Sequence, residues 1–385
     1  MSGTWWVGRK DLDDDQKKIF SIPESESFLI TGPPGSGKTN LLLLRANYLH
    51  LSGFTNIAVV TFTRPLCEFI STGASAYDFP SSKIVTCSNL LSDFLRQFGG
   101  HVSRVGKFED VRNRLAEEAA MVADQMGLEG VYDAILLDEA QDYLPNEIKL
   151  FRRLAVRLCA VADGRQKIYS GDDSESEIGA CVDKCYPLRY HYRIGRSICQ
   201  VADEIAKKWN GYDPLTEFSN YVEDDNPSTV NKERCDSLHS QAQLIIKRLK
   251  TQLSAFPGEY LGVLCPKKEE TTEMWNYISQ SSIGSKATLL SSGADSLDLE
   301  GKQIIVSTFH GSKGLEFRAT HLAACESLKV FGNNRKMAFT VVTRTKTALS
   351  VYHTDDLHPY FESALTANNP IHTAPSIDAC FGGGS

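Results

Sequence analysis

The sequence predicts an α/β protein of two lobes, each built on a parallel sheet. Three observations carry that expectation. Short β-branched runs alternate with longer amphipathic stretches, the pattern of strands joined by crossover helices. The runs fall into two groups, one before about residue 185 and one after about residue 255. The length agrees, because 385 residues, 42% of them apolar, suffice for two or three cores at roughly 100–200 residues per domain.

In chain order, the first group predicts strands at 28–31, 57–61, 84–86, 134–137 and 168–170, where apolar residues run unbroken between polar breaks. Apolar residues spaced three and four apart predict helices at 38–51, 88–98, 108–126 and 147–159. The second group predicts strands at 260–265, 304–308, 321–324 and 349–352, with helices at 197–209 and 240–253. The polar stretch 213–233, containing Glu223-Asp-Asp-Asn-Pro227, reads as a long surface connection. The expected domains are 1–185, with a small helical insertion at about 66–132, and 186–365. Residues 366–385 are expected to form a flexible tail, and 382–385 read as a linker.

Composition narrows the function. No apolar stretch approaches the roughly 18 residues of a membrane span, and residues 1–18 lack a signal-peptide core, which predicts a soluble, cytoplasmic protein with no membrane partner. The net charge of −7 argues against a strongly basic nucleic-acid binder and leaves only local fields to serve that role. Acid is concentrated at 11–15, 172–177 and 223–225, and base at 329–336 and 344–346. Ten cysteines include no CxxC pair; Cys181 and Cys185 stand alone at CxxxC spacing, so reduced thiols are expected.

The most specific motif is Gly32, Pro33, Pro34, Gly35, Ser36, Gly37, Lys38 and Thr39, which fits GxxxxGK[ST] between a predicted strand and a predicted helix. Its glycines let backbone N–H groups wrap phosphates at a helix N-terminus, where the dipole favours anions. Lys38 is placed to neutralise β/γ oxygens, Thr39 to ligate Mg²⁺, and Asn40 follows on the same helix start. A chance glycine-rich loop is the alternative, and the flanking strand and helix weigh against it. About 100 residues on, Ala134-Ile-Leu-Leu-Asp138-Glu139-Ala-Gln141-Asp142 ends an apolar strand in carboxylates. Asp138 is the expected Mg²⁺ ligand and Glu139 the expected base for the attacking water. A solvated acidic turn is the bland reading.

These two segments and Phe309-His310-Gly-Ser-Lys-Gly-Leu-Glu316-Phe resemble the UvrD/PcrA/Rep group of superfamily 1 helicases. Further matches run in the family's order over about residues 12–355. Leu12-Asp13-Asp-Asp-Gln16 resembles the adenine-reading Q motif, with Asp13 for the usual Asn. Val59-Val-Thr-Phe62-Thr63 resembles the first DNA-contacting motif, and residues 84–96 resemble TFHSL…LLR, with Cys87 for Phe and Ser88 for His. Gly171-Asp-Asp-Ser-Glu175-Ser resembles GDxxQS; Leu188-Arg-Tyr-His191-Tyr192-Arg193 resembles LxxNYR, with His191 at the Asn position; residues 341–349 resemble the last motif.

The resemblance implies two RecA-like P-loop NTPase domains with ATP and Mg²⁺ in the cleft between them. It implies that Gln16 reads adenine, Tyr192 stacks on it and Glu316 binds ribose. Arg193 and Arg344 reach the γ-phosphate from the second lobe, and Gln141 belongs to the catalytic set with Lys38 and Glu139. Phe62, Thr63 and His310 are assigned to nucleic acid. The physical logic of the arginines is independent: phosphoryl transfer spreads charge over the γ-oxygens, and an arginine finger is worth roughly 10³–10⁵ in rate. A surface ion pair is the alternative for either one.

Two departures matter. Glu175 stands where the family carries a γ-phosphate-sensing Gln, and no aromatic follows at its base-stacking positions. Stacking is worth roughly 1–3 kcal/mol per base, so Phe62 is left as one platform, with a core Phe as the equal reading. The chain is also too short for the family's two large inserted subdomains. Two functions follow: a 3′→5′ helicase or translocase on single-stranded or tailed DNA, or a nucleic-acid-sensing ATPase switch acting on a partner such as a nuclease in a repair or phage-defence complex.

Overall fold

A computed structural model describes residues 12–74, 77–106, 108–166, 174–290, 299, 301–331 and 334–368. The first lobe's strands are β1 (Phe28–Thr31), β2 (Ile57–Thr61), β3 (Ile84–Thr86), β4 (Tyr132–Leu137), β5 (Ala155–Ala162) and β6 (Lys184–Pro187). They form one sheet in the order β3-β2-β4-β5-β1-β6, every pairing parallel. Its helices are α1 (Asp14–Ile19), α2 (Lys38–Leu51), α3 (Arg64–Ala74), α4 (Cys87–Phe98), α5 (Phe108–Met126), α6 (Pro145–Leu154) and α7 (Ser174–Cys181).

The second lobe repeats the architecture. Strands β7 (Thr229–Arg234), β8 (Leu261–Cys265), β9 (Ala287–Leu290), β10 (Ile304–Thr308), β11 (Phe317–Leu322) and β12 (Thr345–His353) form a parallel sheet ordered β7-β12-β11-β8-β10-β9. Helices α8 (Arg196–Ala206), α9 (Leu238–Ala255), α10 (Lys268–Ser279), α11 (Asn334–Val342) and α12 (Pro359–Asn368) cover it. Among the described residues two α/β domains with six parallel strands each are therefore present, as the alternation of runs predicts, and they match the two RecA-like domains that the resemblance implies.

Helices on both faces explain why inner strands such as β1, β2, β4, β8 and β10 are buried on both sides, whereas edge strands β6 and β7 are largely exposed. Alternate side chains of β1 serve opposite cores: Phe28 and Ile30 pack with Leu41, Leu42 and Leu49 of α2, whereas Leu29 packs on the face of α4, α5 and α6. The second sheet divides in the same way, α8, α11 and α12 on one face and α9 and α10 on the other.

Several expectations are corrected. The helix predicted over 147–159 ends at Leu154, and Ala155 turns to extended backbone (φ −110°, ψ 137°) to begin β5. Phe151, Leu154 and Leu158 keep helical spacing across the junction, so periodicity alone ran the two elements together. The stretch 213–233 is no mere connection, since it enters the sheet as edge strand β7. Strands β6 and β9 and helices α1, α3, α7, α10, α11 and α12 were not predicted. The first sheet runs past residue 185 to Pro187, and the 66–132 insertion supplies β3 as well as helices. The predicted strand at 168–170 and the tail beyond Asn368 lie outside the described residues.

Candidate functional site

Strand β1 delivers the chain into a loop, residues 32–37, that ends where α2 begins at Lys38. Gly35 and Gly37 take left-handed backbone (φ +79° and +83°), which a β-carbon disfavours. Space is also tight: a Cβ on Gly37 would lie 3.1 Å from Gln16 Nε2, and one on Gly35 3.1 Å from Arg193 Cβ. The loop is thus clasped between α1 and the second lobe. Lys38 Nζ donates to the carbonyls of Gly32 (2.8 Å) and Pro33 (2.9 Å). Burial lowers its pKa, against the raising effect of Asp163 and Glu139. Ser36 and Asn40 are buried beside it; Asn40 Oδ1 accepts from Tyr77 Oη at 2.8 Å.

Strand β4 carries Asp138 and Glu139 to the same edge, although β5 intervenes between β4 and β1. Thr39 Oγ1 donates to both Asp138 oxygens, at 3.1 and 3.2 Å. A hydroxyl and a carboxylate so placed are hard oxygen donors suited to Mg²⁺, which takes only one or two protein ligands besides phosphate and water. Burial and then neighbouring Glu139 push the Asp138 pKa up, so a cation there would relieve a buried carboxylate pair. Among the described residues no group of three or more His, Cys, Asp or Glu could hold a metal by itself.

Glu139 adopts left-handed backbone (φ +48°) at the turn after β4. Its Oε2 accepts from Gln141 Nε2 at 2.5 Å and its Oε1 lies 3.9 Å from Arg344 Nη1. Burial alone would raise its pKa; Arg344, Lys313 and Lys38 together hold it below the usual carboxylate range. Gln141 Oε1 accepts from the backbone N–H of Asp163 at 3.0 Å, which fixes the amide's direction.

The second lobe faces these groups with cations. Arg193 is ion-paired with Glu316, whose other oxygen lies 4.0 Å from Lys346 Nζ. Arg344 donates to the side chain of Gln166. Burial, and then Arg344, bring the Arg193 pKa down to about 9, while burial and Arg193 bring Lys346 down to about 8. Lys313 Nζ lies 2.6 Å from Asp142 Oδ2 and also donates to Gln166 O at 2.8 Å. Tyr192 donates through its hydroxyl to Asp13 and through its backbone N–H to Gly35 O (3.1 Å). Gln16 Nε2 donates to Ser36 O at 2.9 Å, and its Oε1 accepts from Asp13 N at 3.1 Å. Together the lobes enclose a cavity of 460 Å³ lined by Lys38, Thr39, Asp138, Glu139, Arg193, Glu316 and Arg344, among others.

The residues assigned to nucleic acid fare differently. Phe62 is only 6% exposed, with the Arg112 guanidinium 4.7 Å from its centroid and Tyr143 edge-on at 6.0 Å, so its ring is packed against both. Thr63 Oγ1 accepts from Leu66 N (3.4 Å) at the start of α3. The half-buried His310 ring lies 5.2 Å from Phe331, and burial lowers its pKa. Residues 171–173 and the Glu175 side chain lie outside the described residues. His191 is wholly buried, its Nε2 2.9 Å from Leu215 O. Sequence reasoning missed Asp163, whose charge raises the Lys38 pKa, and the cavity-lining Gln166, Tyr221, Asn226, Arg318 and Lys346; only Lys346 carried a signal, as a basic neighbour of Arg344.

Residues 16–172 match the family model of an AAA domain. The first lobe is similar to an AAA domain over nearly its whole length. No curated protein matches the chain in sequence. Among solved structures it is similar to the PRRSV helicase (19% identity, 88% of this chain and 54% of that one, TM-score 0.42). It is similar too to the arterivirus nonstructural protein 10 helicase (15% identity, 91% and 63%, TM-score 0.41). A third likeness is to the C-terminal domain of a possible DNA helicase from Lactobacillus plantarum WCFS1 (17% identity, 46% and 96%, TM-score 0.33). The chain spans 54% and 63% of the length of the first two.

Proposed function

We propose that the chain is an ATP-dependent motor of the UvrD-like superfamily 1 type, coupling ATP hydrolysis to 3′→5′ movement on single-stranded DNA. The observation that supports it best is the division of one cavity between two lobes: Lys38, Thr39, Asp138 and Glu139 from one, Arg193 and Arg344 from the other. In this reading the loop's N–H groups and Lys38 hold the β/γ-phosphates, and Thr39 and Asp138 hold Mg²⁺, which neutralises charge on those oxygens when bound. Glu139, kept ionised, accepts the proton of the attacking water, and Gln141 fixes its carboxylate. Arg193 and Arg344 leave their carboxylate and amide partners to meet charge developing on the γ-phosphate. Because these groups come from both lobes, closure assembles the site and hydrolysis releases it.

A second reading is a nucleic-acid-sensing ATPase switch on a partner protein such as a nuclease. The burial of Phe62 favours it, since a ring in the core offers no face to a base. ATPase rates with and without single-stranded DNA, run beside strand displacement on tailed duplexes, separate the two. Stimulation with displacement supports the motor; stimulation alone supports the switch; no effect of DNA overturns both.

A further inference from the structure

One wall of the cavity is left unused by the hydrolytic residues. Residues 221–226 of the second lobe run along it, and Tyr221, Val222, Asp225 and Asn226 all line it beside Arg318. The segment is tied down. Tyr221 Oη donates to the backbone carbonyl of Asn226 at 2.8 Å and lies 2.8 Å from Thr347 Oγ1. Glu223 accepts from Ser228 N (2.7 Å) and Oγ (2.5 Å) and from the Arg196 N–H at the start of α8. Asn220 N donates to His191 O at 2.8 Å. This is a fixed strap.

The Asn226 side chain has one orientation open to it. Its Oδ1 accepts from Arg318, and a guanidinium has only donors, so the amide must offer it oxygen. Nδ2 is then a fixed donor on the other side. Arg318 is itself held, 3.5 Å from Glu259 and with its guanidinium carbon 5.2 Å from the Phe256 centroid. Val222, 57% exposed, offers an apolar surface on the same wall. Charge at this end is balanced: Lys346 faces Glu316, Arg318 faces Glu259, and Asp225 adds a carboxylate. Among the described residues no surplus cation is left there to hold a phosphate. Across the cavity, Gln16 already engages its amide with Ser36 and Asp13.

We propose that the strap is a nucleoside-holding element, with Val222 covering the apolar face of the nucleoside and Asn226 Nδ2 donating to one of its acceptors. The inference rests on the cavity being a nucleoside triphosphate site, and it assigns the uncharged part of that substrate to the second lobe. Phosphates belong to the loop and the arginines; base and ribose belong between Tyr192 and the strap.

The test uses the full chain with the substitutions Asn226→Ala and Val222→Ser. Val222→Ser leaves the strap's ties in place because Val222 is exposed, and Asn226→Ala keeps the Tyr221 bond to the backbone of residue 226 while losing the Arg318 bond to Oδ1. ATPase kinetics are measured beside displacement of a fluorescent ATP analogue by inorganic tripolyphosphate. Loss of one neutral hydrogen bond should raise KM for ATP about three- to tenfold in Asn226→Ala. With kcat unchanged, that would be removal of uniform binding. Tripolyphosphate affinity should not move in either variant. Unchanged ATP affinity in both variants, or equal losses for ATP and tripolyphosphate, would overturn the inference. A wild-type chain that binds neither ligand would overturn the nucleotide site itself.

Discussion

Glu139 holds a backbone conformation that residues other than glycine adopt at a cost of roughly 1–3 kcal/mol, and the turn aims its carboxylate into the cavity. A strained residue placed among Arg344, Gln141 and Lys38 is suited to chemistry. Glu139→Gln should retain ATP binding and lose nearly all turnover, because an amide cannot take the water's proton. Single-turnover hydrolysis with a separate binding titration checks this; affinity falling as far as the rate would make the residue structural. Lys38→Ala should abolish hydrolysis and weaken triphosphate binding, since it removes the main cation from the loop; wild-type turnover in the purified variant would place the active site elsewhere. Lys38, Thr39, Asp138 and Glu139 were legible in the sequence because each sits in a short contiguous segment whose spacing is the signal. Gln166 and Asn226 were not. They reach the cavity through β5 and the strap, and no local pattern marks a residue that topology alone delivers.

At the scale of elements, the helix-to-strand junction at Ala155 shows where pattern reading fails. A central parallel strand is apolar on both faces and so has no period of two to set it apart from a preceding helix. The segment joining β6 to α8 poses the reverse case, since its motif was legible but the departure within it needed the fold. His191 stands where the motif that this segment resembles carries Asn, and burial holds its pKa down to about 4 while Nε2–H donates to Leu215 O. Between the ordinary value of 6.5 and about 4, the unfolded chain binds a proton that the native chain does not. Stability is therefore complete above pH 6.5 and falls as pH drops through that window, by at most about 1.4 kcal/mol per pH unit. His191→Asn keeps a donor for Leu215 O and cannot titrate there. Its melting temperature should decline less than the wild type's between pH 7 and 5. Other acid-sensitive groups, His321 among them, remain in both proteins, so the difference isolates His191. Parallel declines would show that this ring does not govern acid sensitivity.

On the scale of the whole molecule, what matters is how two lobes with separate cores act as one. Phe69 of α3 is buried in the second lobe's core, and a Cβ on Gly314 would come within 2.7 Å of Leu66, so α3 and the 309–316 loop are in close contact. Beside them Lys313 and Asp142 form a buried ion pair across the interface, and Asp142 directly follows the Glu139–Gln141 set. Removing charges from water is expensive, and burial pushes the Asp142 pKa up to about 6 even with Lys313 beside it. Lys313→Met should therefore destabilise the chain by about 3–5 kcal/mol, because it strands a carboxylate without its cation. The double change Lys313→Met with Asp142→Leu should recover most of that loss, since it leaves no buried charge unmatched. Calorimetry on the wild type, both single variants and the double completes the cycle. Recovery of stability without recovery of ATPase would show that the pair couples the lobes during turnover. A double variant no more stable than Lys313→Met would mean that the two charges do not act as a unit, and the coupling would then rest on the α3 contacts alone.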